Sequence, residues 1–421
     1  MKKRFLLTLQ RIWITFELFG KNGLANHAAA GAYGFLLSAA PVLLIISFFI
    51  SNILAGSPAL AAAMLEHITF LPDFFNVQEF VGGFLGAANP GLGGLVSVIP
   101  LFWTARLCAL SLRRGLGVIF MGKSSNPVKS TALTLGLALI IILFIFIMLL
   151  GSKPALDFFD SINLGFAAFL RSIVLLIPGW ALFLVCLGFA ALLFYRIGPD
   201  NPPKWKDIIP GALACMIFYG VFSAGFSLII NPDRYNLLYG ALGMLFLFLV
   251  NVYFFFMFFL FGAQMIMVQA ASEALLFIRF RQLHGRPAGT PGFMLLDKLF
   301  SSPPWPLEKY IREYKEQDLI FRKGSMEDEV YYLLSGKAGV YLDDECRNRI
   351  AFINEANFFG EMEFAVSDGR TASIKAETDL SAMLLPRELF RSILQIDPDT
   401  DRNVILGLSE RLRSNNKRAG A

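Results

Sequence analysis

Charge is scarce in this chain. Asp, Glu, Lys and Arg make up 16% of its 421 residues while 56% are hydrophobic, more apolar surface than one or two soluble cores need, so part of the chain has to live in lipid. The shortage is uneven: residues 28–271 run nearly charge-free in long blocks, whereas residues 301–421 read like an ordinary soluble domain. Two solvents imply two domains. Cysteine is also sparse. Cys108, Cys186, Cys215 and Cys346 are scattered, which excludes a disulfide framework and the paired spacing of a zinc site and leaves them as small buried hydrophobes. His27, His67 and His284 lack metal-ligand spacing, so no metal is expected. Walker-type loops, nucleophile elbows and Cys/His constellations are missing too; no catalytic residue and no enzyme activity are expected. The net charge of +5 comes without a basic stripe interleaved with aromatics, and no helix-turn-helix pattern follows the soluble domain, so nucleic acid is not an expected partner. A modest basic excess in a membrane protein reports topology or anionic lipid instead.

What is present begins with Lys2, Lys3 and Arg4 ahead of an apolar stretch, the outline of a secretory signal. Gln10, Arg11 and Glu17 interrupt that stretch, and residues 5–19 fit a retained interfacial amphipathic helix leading into the first span. A hydrocarbon core of about 30 Å takes roughly 20 residues of helix. Six stretches qualify: residues 28–54, 92–112, 130–151, 169–195, 208–230 and 241–268. Runs such as residues 137–150 lack any polar face, which argues against buried helices of a soluble protein. Lys and Arg beside spans stay on the cytoplasmic side. The N-terminal segment has Lys2, Lys3, Arg4, Arg11 and Lys21, the second connection Arg113, Arg114, Lys123 and Lys129, and the fourth Arg196, Lys204 and Lys206. The first connection has Glu66, Asp73 and Glu79 with no Lys or Arg, and the third and fifth have only Lys153 and Arg234 against Asp157, Asp160 and Asp233. Both termini are therefore expected in the cytoplasm.

Small residues crowd the first span (Ala28 to Ala32, Gly34) and the fifth (Gly211, Ala212, Ala214, Gly220, Ala224, Gly225), which permits close helix packing in lipid. Pro41, Pro100 and Pro178 fall inside or near the ends of spans, either as kinks in a bundle or as breaks exposing backbone groups to a polar pathway. Arg106 lies in the second apolar stretch, where a charge is costly unless it snorkels to the interface or faces a water-filled cavity that attracts an anion. Asn251 and Gln264 in the last span serve either as interhelical hydrogen-bonding groups or as substrate ligands.

The run from His27 to Pro41, the Phe102-Trp103-Thr104-Ala105 patch, the stretch from Trp205 to Ala212 and the stretch from Tyr235 to Gly243 occur in an order that resembles the BrkB/YihY family of bacterial inner-membrane proteins, over about residues 10–275. The resemblance implies a six-helix membrane protein of the kind described as a transporter or virulence factor. That family's last span usually ends Gly-Ala-Glu, whereas this chain has Gly262-Ala263-Gln264, which argues against an acid-dependent role there. Members have also been labelled ribonuclease BN; without a carboxylate cluster or a His pair that label has no support.

Residues 269–283 continue as helix, and His284-Gly285-Arg286-Pro287 begins a Gly/Pro-rich linker. From Glu316 onward the pattern changes to short β-runs, residues 331–334, 338–342, 349–353, 371–376 and 382–385, divided by turns at Gly324, Gly336, Asp343-Asp344 and Asp368-Gly369. Such spacing predicts a β-roll or jelly roll, and residues 389–396 and 404–413 predict closing helices. Phe358-Phe359-Gly360-Glu361-Met362-Glu363-Phe364 is followed, nine positions after Glu361, by Arg370-Thr371-Ala372. This resembles the phosphate-binding cassette of cyclic-nucleotide-binding domains, with Gly324, Gly336 and Gly339 where that family's turn glycines are expected. A Gly-led turn into a short helix offers backbone N–H groups to a phosphate, Arg370 supplies a charge-assisted pair and Glu361 accepts from a ribose hydroxyl. The ligand site implied is Gly360, Glu361, Met362, Glu363, Arg370, Thr371 and Ala372, with cAMP or cGMP as ligand. Glu363 stands where the family commonly has a small residue, an extra carboxylate that weakens binding; a β-roll that no longer binds is the competing reading.

The expected protein is thus an all-α six-helix transmembrane bundle plus a C-terminal β-roll with flanking helices. Its domains are residues 1–27 (amphipathic segment), 28–271 (membrane), 272–304 (helix extension and linker) and 305–421 (nucleotide binding). The expected place is the bacterial inner membrane and the expected role a transporter or permeation protein regulated by a cyclic nucleotide, with a membrane-anchored sensor or scaffold acting on a partner protein as the alternative. The partners are the bilayer, the nucleotide and an unidentified substrate or protein, and a homo-oligomer is compatible with all of this.

Overall fold

The structure is a computed structural model that describes residues 2–37, 110–120, 188–189, 191–196, 199, 203–230, 232–284, 299–300, 302–343, 347–362, 369–400 and 402. The chain divides into two compact units, Met1–Ile14 with Ala271–Ala421 and Thr15–Ala270. Helix α1 (Lys2–Lys21) contributes to both, two residues longer at its C-terminus and three at its N-terminus than the amphipathic pattern predicts.

In the second unit, α2 (Trp205–Ile229) and α3 (Pro232–Ala270) are the long apolar helices. Each has the length and composition to cross a membrane; the other four predicted spans lie wholly or largely outside the described residues. Two glycines set the approach of α2 to α3. A Cβ on Gly211 would run into the Ile266 side chain and sit 2.7 Å from the Gly262 carbonyl oxygen, and one on Gly262 would sit 2.6 Å from the Gly211 carbonyl oxygen. The small residues therefore serve bundle packing. Around this crossing Leu24, Ala28, Leu116, Tyr195, Ile208, Cys215, Phe259, Leu260 and Ile266 form one buried cluster.

The first unit is built on eight short strands: β1 (Ile311–Tyr314), β2 (Leu319–Phe321), β3 (Glu329–Ser335), β4 (Ala338–Tyr341), β5 (Arg349–Ile353), β6 (Phe358–Phe359), β7 (Ser373–Ala376) and β8 (Leu380–Pro386). They form two antiparallel four-stranded sheets, in the orders β1-β8-β3-β6 and β2-β7-β4-β5. Phe321, Tyr331, Leu333, Phe359, Ile374 and Ala382 from both sheets meet in one core. Strands β2 and β6 escape the sequence pattern because they are only three and two residues long, too short to show alternation, and β1 escapes it because its two central residues, Arg312 and Glu313, are both charged and exposed.

β3 is buried on both faces. Tyr331 and Leu333 point into the sheet-to-sheet core, while Tyr332 points the other way, its ring 5.2 Å from Phe277. Phe277 belongs to α4 (Ser272–Leu283), which packs on that outer face together with α6 (Arg387–Ile396); a short α5 (Trp305–Glu308) precedes β1. Gly324 and Gly336 have φ of +77° and +88°, as turn glycines should. Gly339 is different: it lies within β4, paired with Phe352 and Lys375, and a Cβ there would strike the Glu377 carboxylate. Its small size is needed for space, not for a turn.

Candidate functional site

The predicted cassette assembles where β6 leaves the first sheet. Phe359 pairs with Tyr331 of β3 and stacks on it at 4.9 Å between ring centroids. The chain then turns at Gly360, φ +78°, a left-handed conformation that favours glycine, and residues 361–362 begin a helical turn. Arg370 arrives from the opposite direction, just before β7. Its backbone is tied to the β2–β3 loop: its N–H donates to the Ser325 carbonyl at 3.0 Å, and the Gly324 N–H donates to its carbonyl at 2.8 Å.

The Arg370 side chain is buried, at 3% exposure, with its guanidinium against the Gly360 turn. Nη1 donates to the Gly360 carbonyl and Nη2 to the Glu329 carbonyl, each at 2.7 Å, and Glu327 Oε2 lies 3.8 Å from Nη2. The guanidinium lies over the Phe321 ring, 4.3 Å from its centroid, with Tyr331 at 5.7 Å. Burial pushes the Tyr331 phenol well above its ordinary range, helped by Tyr314 and Glu327 and opposed by Arg370. It stays neutral and walls the cation with aromatic surface.

Glu361 is buried. Thr371 is exposed, and its hydroxyl donates to the Met362 sulfur at 3.6 Å, so the two halves of the motif touch across the nine-position gap. Ala372 is half-buried beside them; Glu363 lies outside the described residues. Sequence reasoning missed Glu327, Glu329 and Phe321 as the surroundings of Arg370. Two of Arg370's bonds go to backbone carbonyls, which any residue carries; only the acidic run Glu327-Asp328-Glu329 offered a signal.

A second omission is α4, which reaches the cassette from behind. Phe358, two residues before Gly360, has its ring 6.0 Å from Phe277 and 5.5 Å from Phe390 of α6, and Arg281 sits over it at 5.4 Å. Further contacts pin α4 at both ends. Lys309 Nζ and the Tyr310 hydroxyl donate to Glu273 at 2.6 and 2.8 Å, His284 Nδ1 lies 3.1 Å from the Tyr332 hydroxyl, and Arg281 lies 3.8 Å from Asp397. Burial raises the Tyr332 phenol to about 12.

In the membrane unit, the Tyr219 hydroxyl donates to Asn251 Oδ1 at 2.6 Å and Asn22 Nδ2 donates to Gln264 Oε1 at 3.2 Å. Asn251 thus joins α3 to α2, and Gln264 joins α3 to the turn that follows α1. Arg106 lies outside the described residues. No group of His, Cys, Asp or Glu among the described residues is arranged to hold a metal ion.

Comparison with known proteins follows the same division. Residues 15–275 match the family model described as Virulence factor BrkB, and residues 311–397 match that of the cyclic nucleotide-binding domain. The chain is 27% identical over 252 residues to a UPF0761 membrane protein of Alteromonas mediterranea, covering 55% of this chain and 78% of that protein. It is 23% identical over 114 residues to the cAMP-activated global transcriptional regulator CRP of Escherichia coli O6:H1, covering 26% of this chain and 54% of that protein. A crystal structure of the Thermus thermophilus catabolite activator protein matches at 25% identity and a TM-score of 0.24, over 26% of this chain and 53% of that one. The chain spans about half the length of the first curated relatives it matches. With residues 15–275 of its 421 covered by that family model, the chain belongs to the Virulence factor BrkB family, as a membrane protein that also carries a cyclic nucleotide-binding domain.

Proposed function

We propose that this protein is a transport or permeation protein of the bacterial inner membrane, with no catalytic chemistry of its own, whose activity is set by a cyclic nucleotide bound at Gly360, Glu361, Met362, Glu363, Arg370, Thr371 and Ala372. In this reading six spans leave both termini in the cytoplasm, which the Lys and Arg asymmetry of the connections supports. The observation that carries the regulatory part is α4. It follows α3 after the single residue Ala271, and it stacks Phe277 and Arg281 on Phe358, next to the cassette. A change at the Gly360 turn is therefore felt by a helix joined covalently to a membrane-spanning one.

The chemistry of the site suits a cyclic phosphate. Arg370 brings a positive charge held in place by two backbone carbonyls, so little conformational entropy is left to lose on binding. Glu361 is the acceptor for a ribose hydroxyl, and Thr371 lies at the exposed edge for the base or the phosphate. A curated relative of this domain is cAMP-activated by name, which makes cAMP the first ligand to test and cGMP the second. The test is solute and ion flux through proteoliposomes of the full-length protein with and without nucleotide. A nucleotide-dependent change in flux is expected; binding without any flux would overturn the transport reading.

A second reading, a membrane-anchored nucleotide sensor or scaffold acting on a partner protein, draws support from Asn251 and Gln264. Asn251 is engaged with Tyr219 of α2 and Gln264 with Asn22 in the turn after α1, as structural hydrogen-bonding groups are. The outcome of binding without flux selects it.

A further inference from the structure

The N-terminal helix faces the wrong way for a soluble protein. Along its first 14 residues, Leu7, Gln10 and Ile14 are buried, and this side is fixed within the nucleotide-binding unit. Gln10 Nε2 donates to the Leu299 carbonyl at 2.8 Å, Arg11 Nη2 to Ser272 Oγ at 3.1 Å, and Lys3 Nζ to Glu308 at 2.7 Å. At 100° per residue, Phe5, Leu6, Leu9, Ile12 and Trp13 fall on the opposite side, within roughly 120° of the circumference. All five are exposed, Phe5 at 68% and Trp13 at 42%. A side carrying a glutamine is thus buried while a continuous stripe of large apolar and aromatic side chains is left uncovered. Isolated exposed apolar residues are ordinary, but a contiguous stripe marks a binding surface.

Three observations say what covers it. Residues 1–16 contain Lys2, Lys3, Arg4 and Arg11 and no acidic residue; with Lys3 set on Glu308, an excess of positive charge is left that is complementary to acidic headgroups. The stripe sets Phe, Leu and Trp on one exposed face of a helix whose Arg4 and Arg11 lie toward the opposite side, and an aromatic apolar face backed by a basic polar one is the composition of helices that lie in the membrane interface. The same helix runs on unbroken to Lys21, into the segment matched to a membrane-protein family from residue 15.

We propose that α1 lies in the plane of an acidic bilayer surface on its Phe5, Leu6, Leu9, Ile12 and Trp13 face. The nucleotide-binding unit, fixed to its other face, is thereby held against the lipid. This inference stands whether or not the protein transports anything.

The test uses the full-length protein in nanodiscs of phosphatidylcholine and phosphatidylglycerol. Single spin labels are introduced at Leu9→Cys and Trp13→Cys, with Thr8→Cys, exposed on the polar side of the same helix, as reference. The labels at positions 9 and 13 are expected about 5–10 Å inside the headgroup boundary, readily reached by oxygen and shielded from a nickel chelate, while position 8 is open to the chelate. Equal chelate access at all three positions would overturn the proposal. So would dipolar coupling between labels that disappears on dilution with unlabelled protein, because a second copy would then be the occupant. Insertion to the same depth in pure phosphatidylcholine would overturn the role given to acidic headgroups.

Discussion

Gly360 and Arg370 should behave as one energetic unit, and the geometry allows the size of the coupling to be worked out. Gly360 has φ +78°, where a residue with a Cβ costs about 1–2 kcal/mol. A Cβ there would also strike Arg370 Nη1, the atom that donates to the Gly360 carbonyl at 2.7 Å. The guanidinium then has to move and give up a hydrogen bond from a charged group, worth about 1.5–3 kcal/mol. Gly360→Ala should therefore destabilise the region by about 2.5–5 kcal/mol, or roughly 70- to 5,000-fold in local opening. Arg370→Leu removes the obstacle, so in the double variant only the backbone cost of Ala remains and the two losses fall short of additive by about 1.5–3 kcal/mol. Hydrogen exchange of the full-length protein reads this directly at the amides joining β3 to the β6 turn, such as Leu333 to Asn357 and Ala356 to Leu333. Additivity within about 0.5 kcal/mol, or a Gly360→Ala protein with unchanged protection, would refute the reasoning. The result also controls every binding experiment on Arg370: weaker nucleotide binding reports a lost phosphate contact only where protection is intact.

Other outcomes follow from the same contacts. Gly262→Val should separate α2 from α3, because the Gly211 carbonyl lies 2.6 Å from where a Cβ would stand; thermal melting in detergent should fall, and an unchanged melt would mean that the two helices do not need this close approach. Tyr219→Phe removes the donor to Asn251 and should cost about 1 kcal/mol of stability, checked by the same melt, whereas an effect on flux with unchanged stability would favour a pathway role for Asn251. Thr371→Ala should change the ratio of cGMP to cAMP affinity by about two- to tenfold, the worth of one hydrogen bond of roughly 0.5–1.5 kcal/mol, if Thr371 reads the base; competition binding with an unchanged ratio would leave its hydroxyl to the phosphate or to Met362. Phe277→Ala should loosen α4 from Phe358 and reduce the effect of nucleotide on flux more than nucleotide affinity itself, and equal losses in both would remove α4 from the coupling.

Much was legible in the sequence because it rests on local chemistry. Long apolar runs announce helices for lipid, and α2 and α3 are where two such runs were expected. The turns at Gly324 and Gly336 declare themselves because only glycine takes positive φ without cost. The cassette is a two-part motif with a fixed interval, and Gly360 does meet Arg370 and Met362 does meet Thr371. What stayed hidden depends on partners distant in sequence or on groups that every residue carries. Arg370 is held by the carbonyls of Gly360 and Glu329, and a carbonyl leaves no trace in the choice of residue. Gly211 and Gly262 read as generic small residues until they meet across two helices. The pattern of residues 5–19 identified an amphipathic helix, but not which face the protein itself would use. Only the tertiary structure placed Gln10 inside and Phe5 and Trp13 outside, because burial is settled by which surfaces remain once the strands and α4 have packed, and a sequence period alone does not contain that competition.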